Sequence, residues 1–140
     1  MDYLSTLLDT IAIEPNMVEF HPSPDSRITE EIVLHLIRSM HYYLQGVISN
    51  IWEPLPYSFE RYSSWERISE LWTSLLPELR QKLDKLDSTI YHTNYTDLPT
   101  PAFGLNLIIE LLTHHSHHIG QILLYLRLNG ISPPAYPFIV

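Results

Sequence analysis

Cysteine is absent from all 140 residues, which removes disulfide frameworks, thiolate zinc sites and cysteine nucleophiles together. Any metal ligands are then histidine or carboxylate. Basic residues are also scarce, with eight Lys and Arg against sixteen Asp and Glu and a formal net charge of −8. No basic cluster is large enough to track phosphates, so nucleic acid and anionic membrane surfaces are poor partners. No uninterrupted apolar run approaches the roughly 18 residues of a spanning helix. The start "MDYLSTLLDTIAIEP" has an acidic second residue and no positively charged leader. These absences predict a soluble, cytoplasmic protein without a membrane segment.

What is present is helical periodicity punctuated by proline. By length, residues 1–140 make one domain with a sizeable core. Glycine occurs four times and proline eleven, the prolines grouping at Pro15, Pro22, Pro24, Pro54, Pro56, Pro99, Pro101 and from Pro133 onward. The first segment, about residues 3–13, carries Leu4, Leu7, Leu8 and Ile11 on one helical face. A second begins at Asp25 or Ser26 as N-cap, has Glu30 and Glu31 where they complement the helix dipole, and runs to about residue 50. The third repeats Trp65, Ile68, Leu71, Trp72, Leu75, Leu76, Leu79, Leu83 and Leu86 at helical spacing. Pro77 within it predicts a kink or two abutting helices, because proline lacks the backbone donor and crowds the Thr73 carbonyl. The fourth runs from about residue 102 to 129 and stops at Gly130, with Pro133 beyond. No strand pattern competes. The fold class expected is all-α, an antiparallel four-helix bundle with long connections whose up-and-down order stays open.

The fourth segment contains "THHSHHIGQILLYLRLNGISPP", with four histidines in five positions of an otherwise apolar run. A buried histidine needs partners for its ring nitrogens or must stay neutral. At about 100° per residue, with His114 at zero, His118 falls at about 40°, between Leu107 and Leu111 on one stripe. His115 and His117 lie on the flanks. On the second helix His35 shares a stripe with Ile28, Ile32, Ser39 and Tyr42, whereas His41 falls near −120° and reads as a surface or rim residue. His21 and His92 lie in loops. Two readings are open at this point: a three-histidine metal site at His35, His114 and His118, or a hydrogen-bonded core network.

The segments "TEEIVLHLIRSMHYYL" and "HHSHHIGQILLYLRLNGISPP" resemble the DinB/YfiT-like superfamily. Its helical bundles carry one helix with a histidine in an L-x-H-[LI] context and another with H-x-x-x-H-R-G-Q. The resemblance spans nearly the whole chain and places the family ligands on His35, His114 and His118, with Gly120 and Gln121 completing the G-Q. Ile119 stands where the family has arginine, so whatever contact that arginine makes, to a second subunit or to a substrate acid group, is not implied here. The family includes metal-dependent hydrolases and low-molecular-weight-thiol transferases, and the resemblance does not choose between them.

Three imidazoles on a divalent ion leave a coordination position open, which suits either hydrolysis by a bound water or ionisation of a thiol co-substrate. Zinc or nickel is the expected metal, and iron, cobalt and copper also suit imidazole. Glu110, Gln121 and Tyr125 are the candidate helpers. Glu110 can orient a ligand, act as a base or sit at a polar edge; Gln121 and Tyr125 either pack or line the site. The aromatic stretch of Trp52, Tyr57, Phe59, Tyr62 and Trp65 either walls an apolar pocket or caps the bundle. A small-molecule substrate follows from the first reading. The competing readings are a bundle that binds metal or ligand without turnover and a structural protein. Finally, Leu105, Ile109, Leu112 and Leu123 on the fourth helix, and Val33, Ile37, Met40, Leu44 and Ile48 on the second, are apolar opposite the histidine stripes. The first helix and "AYPFIV" can cover one such face, and a homodimer is expected to bury the other.

Overall fold

The computed structural model describes residues 1–135. Its first helix, α1 (Asp2–Ala12), buries Leu4, Leu7, Leu8 and Ile11, the four residues of its apolar stripe. A single turn, α2 (Pro15–Val18), has proline at its start, where the missing donor costs nothing. Then follow the long α3 (Thr29–Ser49), α4 (Trp65–Asp84), the short α5 (Ser88–His92) and the long α6 (Gly104–Leu128). Two residues each of β1 (Asn94–Tyr95) and β2 (Ala102–Phe103) pair antiparallel between α5 and α6. Strands this short leave no alternation to read, which is why periodicity gives no sign of them.

Residue pairs fix the helix directions. Asp2 pairs with Arg80 at 2.6 Å and the Trp72 indole donates to Ser5 Oγ at 3.0 Å, so α1 runs antiparallel to α4. The Tyr125 hydroxyl, near the end of α6, donates to the Arg27 carbonyl just before α3, while Tyr43 meets Glu110 towards the other end. Thus α6 is antiparallel to α3. His41 on α3 faces Glu78 on α4 at 3.5 Å, and Glu30 feels the charge of Glu66 where both helices begin, so α3 and α4 run parallel. The order left open by the sequence is therefore up, down, down, up. Residues 50–64 return along the full length of α3, about 31 Å for its 21 residues. That return requires the long proline-broken connection.

Three local expectations are corrected. Neither Asp25 nor Ser26 caps α3. The helix starts at Thr29 with Ile28 at the cap position and no side-chain cap, because the buried Thr29 gives both its N–H (3.0 Å) and its hydroxyl (3.2 Å) to the Phe20 carbonyl. A tertiary bond sets this end. Of the kink or two abutting helices expected at Pro77, the second is overturned: α4 is continuous from its Ser64 cap to Asp84, and the proline sits on the exposed side, where Thr73 is also exposed and water can satisfy the carbonyl. Lastly, Val33, Ile37, Met40 and Leu44 are buried within the chain, in one core with α1 and α4. Among the described residues α6 keeps an exposed apolar face, with Leu105, Ile109 and Leu112 each about half exposed or more. Most of "AYPFIV" lies outside the described residues.

Candidate metal centre

His35 projects from α3 and His114 and His118 from successive turns of α6, each on the face that meets the other helix. Their ring centroids are 4.7, 4.8 and 4.5 Å apart, with edge-to-face contacts in all three pairs. One nitrogen from each ring lies within 4.8 Å of the others. Nitrogens held about 2.1 Å from a common tetrahedral ion are about 3.4 Å apart, so side-chain rotations of about an ångström bring these donors to one ion. The donor set therefore fits a divalent metal, and it leaves coordination positions unfilled by protein.

Hydrogen bonds prepare two of the rings. Gln121 Oε1 accepts from His118 Nδ1 at 2.7 Å, leaving Nε2 with its lone pair free. Ser39 Oγ donates to the His35 carbonyl at 2.7 Å and so accepts from His114 Nε2 at 3.1 Å. Burial holds the His35 imidazole down at about 4, helped by the neighbouring His118 and His114 and then by Arg27 and Arg38. Burial is also the first cause lowering His114 and His118, followed by His117 and by Gln121 (which opposes the shift), respectively. All three rings are neutral at pH 7, the state that binds metal.

The remaining histidines divide sharply. His41 is buried, not on the rim, because α4 packs over it: Nε2 faces Glu78 at 3.5 Å and Nδ1 meets the Tyr57 hydroxyl at 3.3 Å, with the two rings stacked. His115 is buried on the other flank of α6, its Nε2 donating to the Leu36 carbonyl at 3.2 Å. His117 is exposed, 5.0 Å from the His118 ring, and His21 and His92 are exposed in or beside loops with Nδ1 on local carbonyls.

No protein-family model matches the sequence, and no curated protein matches it either. Solved structures do. The DinB-like protein YjoA of Bacillus subtilis superimposes with a TM-score of 0.77 at 17% identity, over 96% of this chain and 89% of that one. A DinB-like protein of Bacillus cereus gives 0.69 at 14% identity, over 96% and 90%. The fold is that of the DinB-like proteins.

Within this DinB-like bundle the candidate helpers take different places. Gln121 touches the centre through His118. Glu110 is exposed on α6 near the Tyr43 hydroxyl, whose pKa burial and this carboxylate raise. Tyr125 is a core residue, edge-on to Phe20 at 5.5 Å and hydrogen-bonded to the Arg27 carbonyl. Ser39, about one turn from His35, and Tyr43, about two turns from it, carry no local signal in the sequence, and only the position of α6 shows which of them meets the site.

The aromatic connection splits as well. Tyr57, Phe59, Tyr62 and Trp65 pack against the main core, whereas Trp52 packs against a second cluster of Val47, Tyr95 and Leu107. Its indole lies directly over the α3 backbone at Gly46, where a Cβ would fall 2.1 Å from the ring. Asn50 ends α3 in the left-handed conformation (φ 51°) and accepts from Trp52 Nε1 at 3.0 Å. Its amide nitrogen donates to Asp97 at 2.8 Å, tying the 97–100 loop to the same point. A cavity of about 340 Å³ lies between His35, Ser39, Tyr42 and Leu55, and one of about 350 Å³ continues past Tyr42 and Tyr43 to Trp52, Leu98 and Glu110.

Proposed function

We propose that the protein holds one divalent metal ion on His35, His114 and His118 and acts as a metal-dependent enzyme on a small molecule. The observation that carries this reading is the convergence of three neutral imidazoles, from two helices, on one point beside a small-molecule-sized cleft. A bound ion would supply Lewis acidity, either making hydroxide from water near pH 7 or ionising a low-molecular-weight thiol. Zinc or nickel suits the all-imidazole set. Gln121 fixes the tautomer and rotation of His118. Among the described residues Glu110 is the only carboxylate lining the cleft, and it is the candidate acceptor for a substrate proton. Thiol transfer and hydrolysis are the two reactions this supports.

Tag-free protein, analysed for metal after purification and after reconstitution, tests the site; one ion per chain is expected, and none would refute it. Incubating the loaded protein with thiols and electrophiles, and reading products by mass spectrometry, then separates transfer from hydrolysis.

Among the described residues no helix is long and apolar enough to cross a membrane. A cytoplasmic location and a homodimer complete the proposal, with the α6 face at Leu105, Ile109 and Leu112 as the contact. Ile109→Glu should halve the mass seen by sedimentation and keep the fold, whereas Ile37→Glu, in the core, should unfold the chain. A wild-type monomer at micromolar concentration would refute the dimer.

A further inference from the structure

The cleft beside the histidines is unevenly charged. At the His35 end its wall carries Arg38, and at the far end Glu110. Arg27 stands near the same histidines, as its effect on all three shows. Among the described residues neither guanidinium has a carboxylate within ion-pair distance, although acidic groups outnumber basic ones two to one. Among the described residues only Arg80 and Lys82 of the eight cations are ion-paired, and Arg27 and Arg38 are the unpaired ones that stand beside a centre suited to a divalent cation. Such a concentration of positive charge is relieved by an anion. Between the charged ends the walls are apolar and aromatic: Tyr42, Leu55, Trp52 and Leu98. Trp52 is held in place by Gly46 beneath it and Asn50 beside it, so this wall is formed before any ligand arrives.

We propose that the cleft binds a small organic carboxylate with an apolar or aromatic body, its acid group at Arg38 beside the histidine centre and its body against Tyr42 and Trp52. The fork of the Arg38 guanidinium matches a carboxylate in two parallel hydrogen bonds. Glu110, at the opposite end, repels the acid group and so sets which way round the ligand lies. This assignment rests on the proposed metal enzyme for its biological meaning, but the recognition of the acid by Arg38 does not require the ion.

Calorimetric titration with 3-phenylpropionate and with its uncharged amide tests it, in zinc-loaded and in metal-free protein. The acid should bind at least tenfold more tightly than the amide to the loaded protein, and by a smaller margin to the metal-free one. Arg38→Gln, at an exposed position where folding is not at stake, should bring that preference below threefold with metal stoichiometry unchanged. Arg127→Gln, at the end of α6, should leave it intact. Equal binding of acid and amide, binding of neither, or a preference that survives Arg38→Gln would overturn the proposal. If the protein takes up no metal, the proposed enzyme fails while the metal-free titration still reads the preference that Arg38 supplies.

Discussion

Two sets of histidines lie inside the same α3–α6 and α3–α4 contacts. His118, His41 and His115 are equally buried, at 8, 6 and 8% exposure, while His35 and His114 are half-buried, so burial alone does not sort the two sets. The difference lies in what the ring nitrogens meet. His41 and His115 point to protein partners, a tyrosine hydroxyl and a carboxylate for one and a backbone carbonyl for the other. His114 and His118 also have one nitrogen each on a protein partner, Ser39 and Gln121, but one nitrogen from each of His35, His114 and His118 lies within 4.8 Å of the other two, and neutral rings do not satisfy lone pairs on one another's faces. A group that converges lone pairs on a shared point has a use for an ion, and the cost of holding those groups together is offset when one binds.

Substitution is the sharpest way to break this contrast. His118→Ala or His35→Ala should lower metal affinity more than a hundredfold, measured by competition with a chelating dye, while His41→Ala and His115→Ala should leave it within about threefold. Retained affinity in either of the first two would erase the distinction. Gln121→Leu should weaken binding by about tenfold, since it frees the tautomer and rotation of one ligand without removing it. The other set shows itself in stability. His115→Ala should cost about 2 kcal/mol in urea denaturation, from the lost packing and the lost ring hydrogen bond to the Leu36 carbonyl.

The smallest effect is on pH dependence. The His115 pKa is lowered to about 4, chiefly by burial, against 6.5 for an ordinary histidine. The unfolded chain therefore binds a proton at higher pH than the folded one. This contribution to stability is fully present above pH 6.5 and is lost as pH falls to about 4. His115→Leu should flatten the metal-free protein's stability profile across that window, and an unchanged slope would remove His115 as its source.

The stripe positions of His35, His114 and His118 were legible because a helix of known pitch places i and i+4 on one face, and that alone brings them to the α3–α6 seam. His41 was misread for the same reason: pitch relative to one stripe says nothing of a second neighbour, and α4 covers the face of α3 that one-sided burial would leave in water. The four long helices followed from periodicity, but the start of α3 at Thr29 depends on the distant Phe20 carbonyl, which no local cap reports. Nor does Pro77 break its helix, because the position that lost its donor faces solvent. Trp52 could not be separated from Tyr57, Phe59, Tyr62 and Trp65, since composition marks all five alike. Only the close approach allowed by Gly46 sets it apart.

The left-handed turn at Asn50 carries a consequence of its own. One side chain joins the end of α3, the indole of Trp52 and the loop that bears Asp97, and none of the three supplies a histidine to the centre. The Trp52 wall of the proposed cleft is thus built apart from the candidate ligands, whereas Arg38 and Tyr42 share α3 with His35. Replacements at 52–55 or 97–100 can reshape what the cleft admits while α3 and α6 keep their donors in register, a modularity by which one scaffold can acquire new substrates without rebuilding its reactive centre.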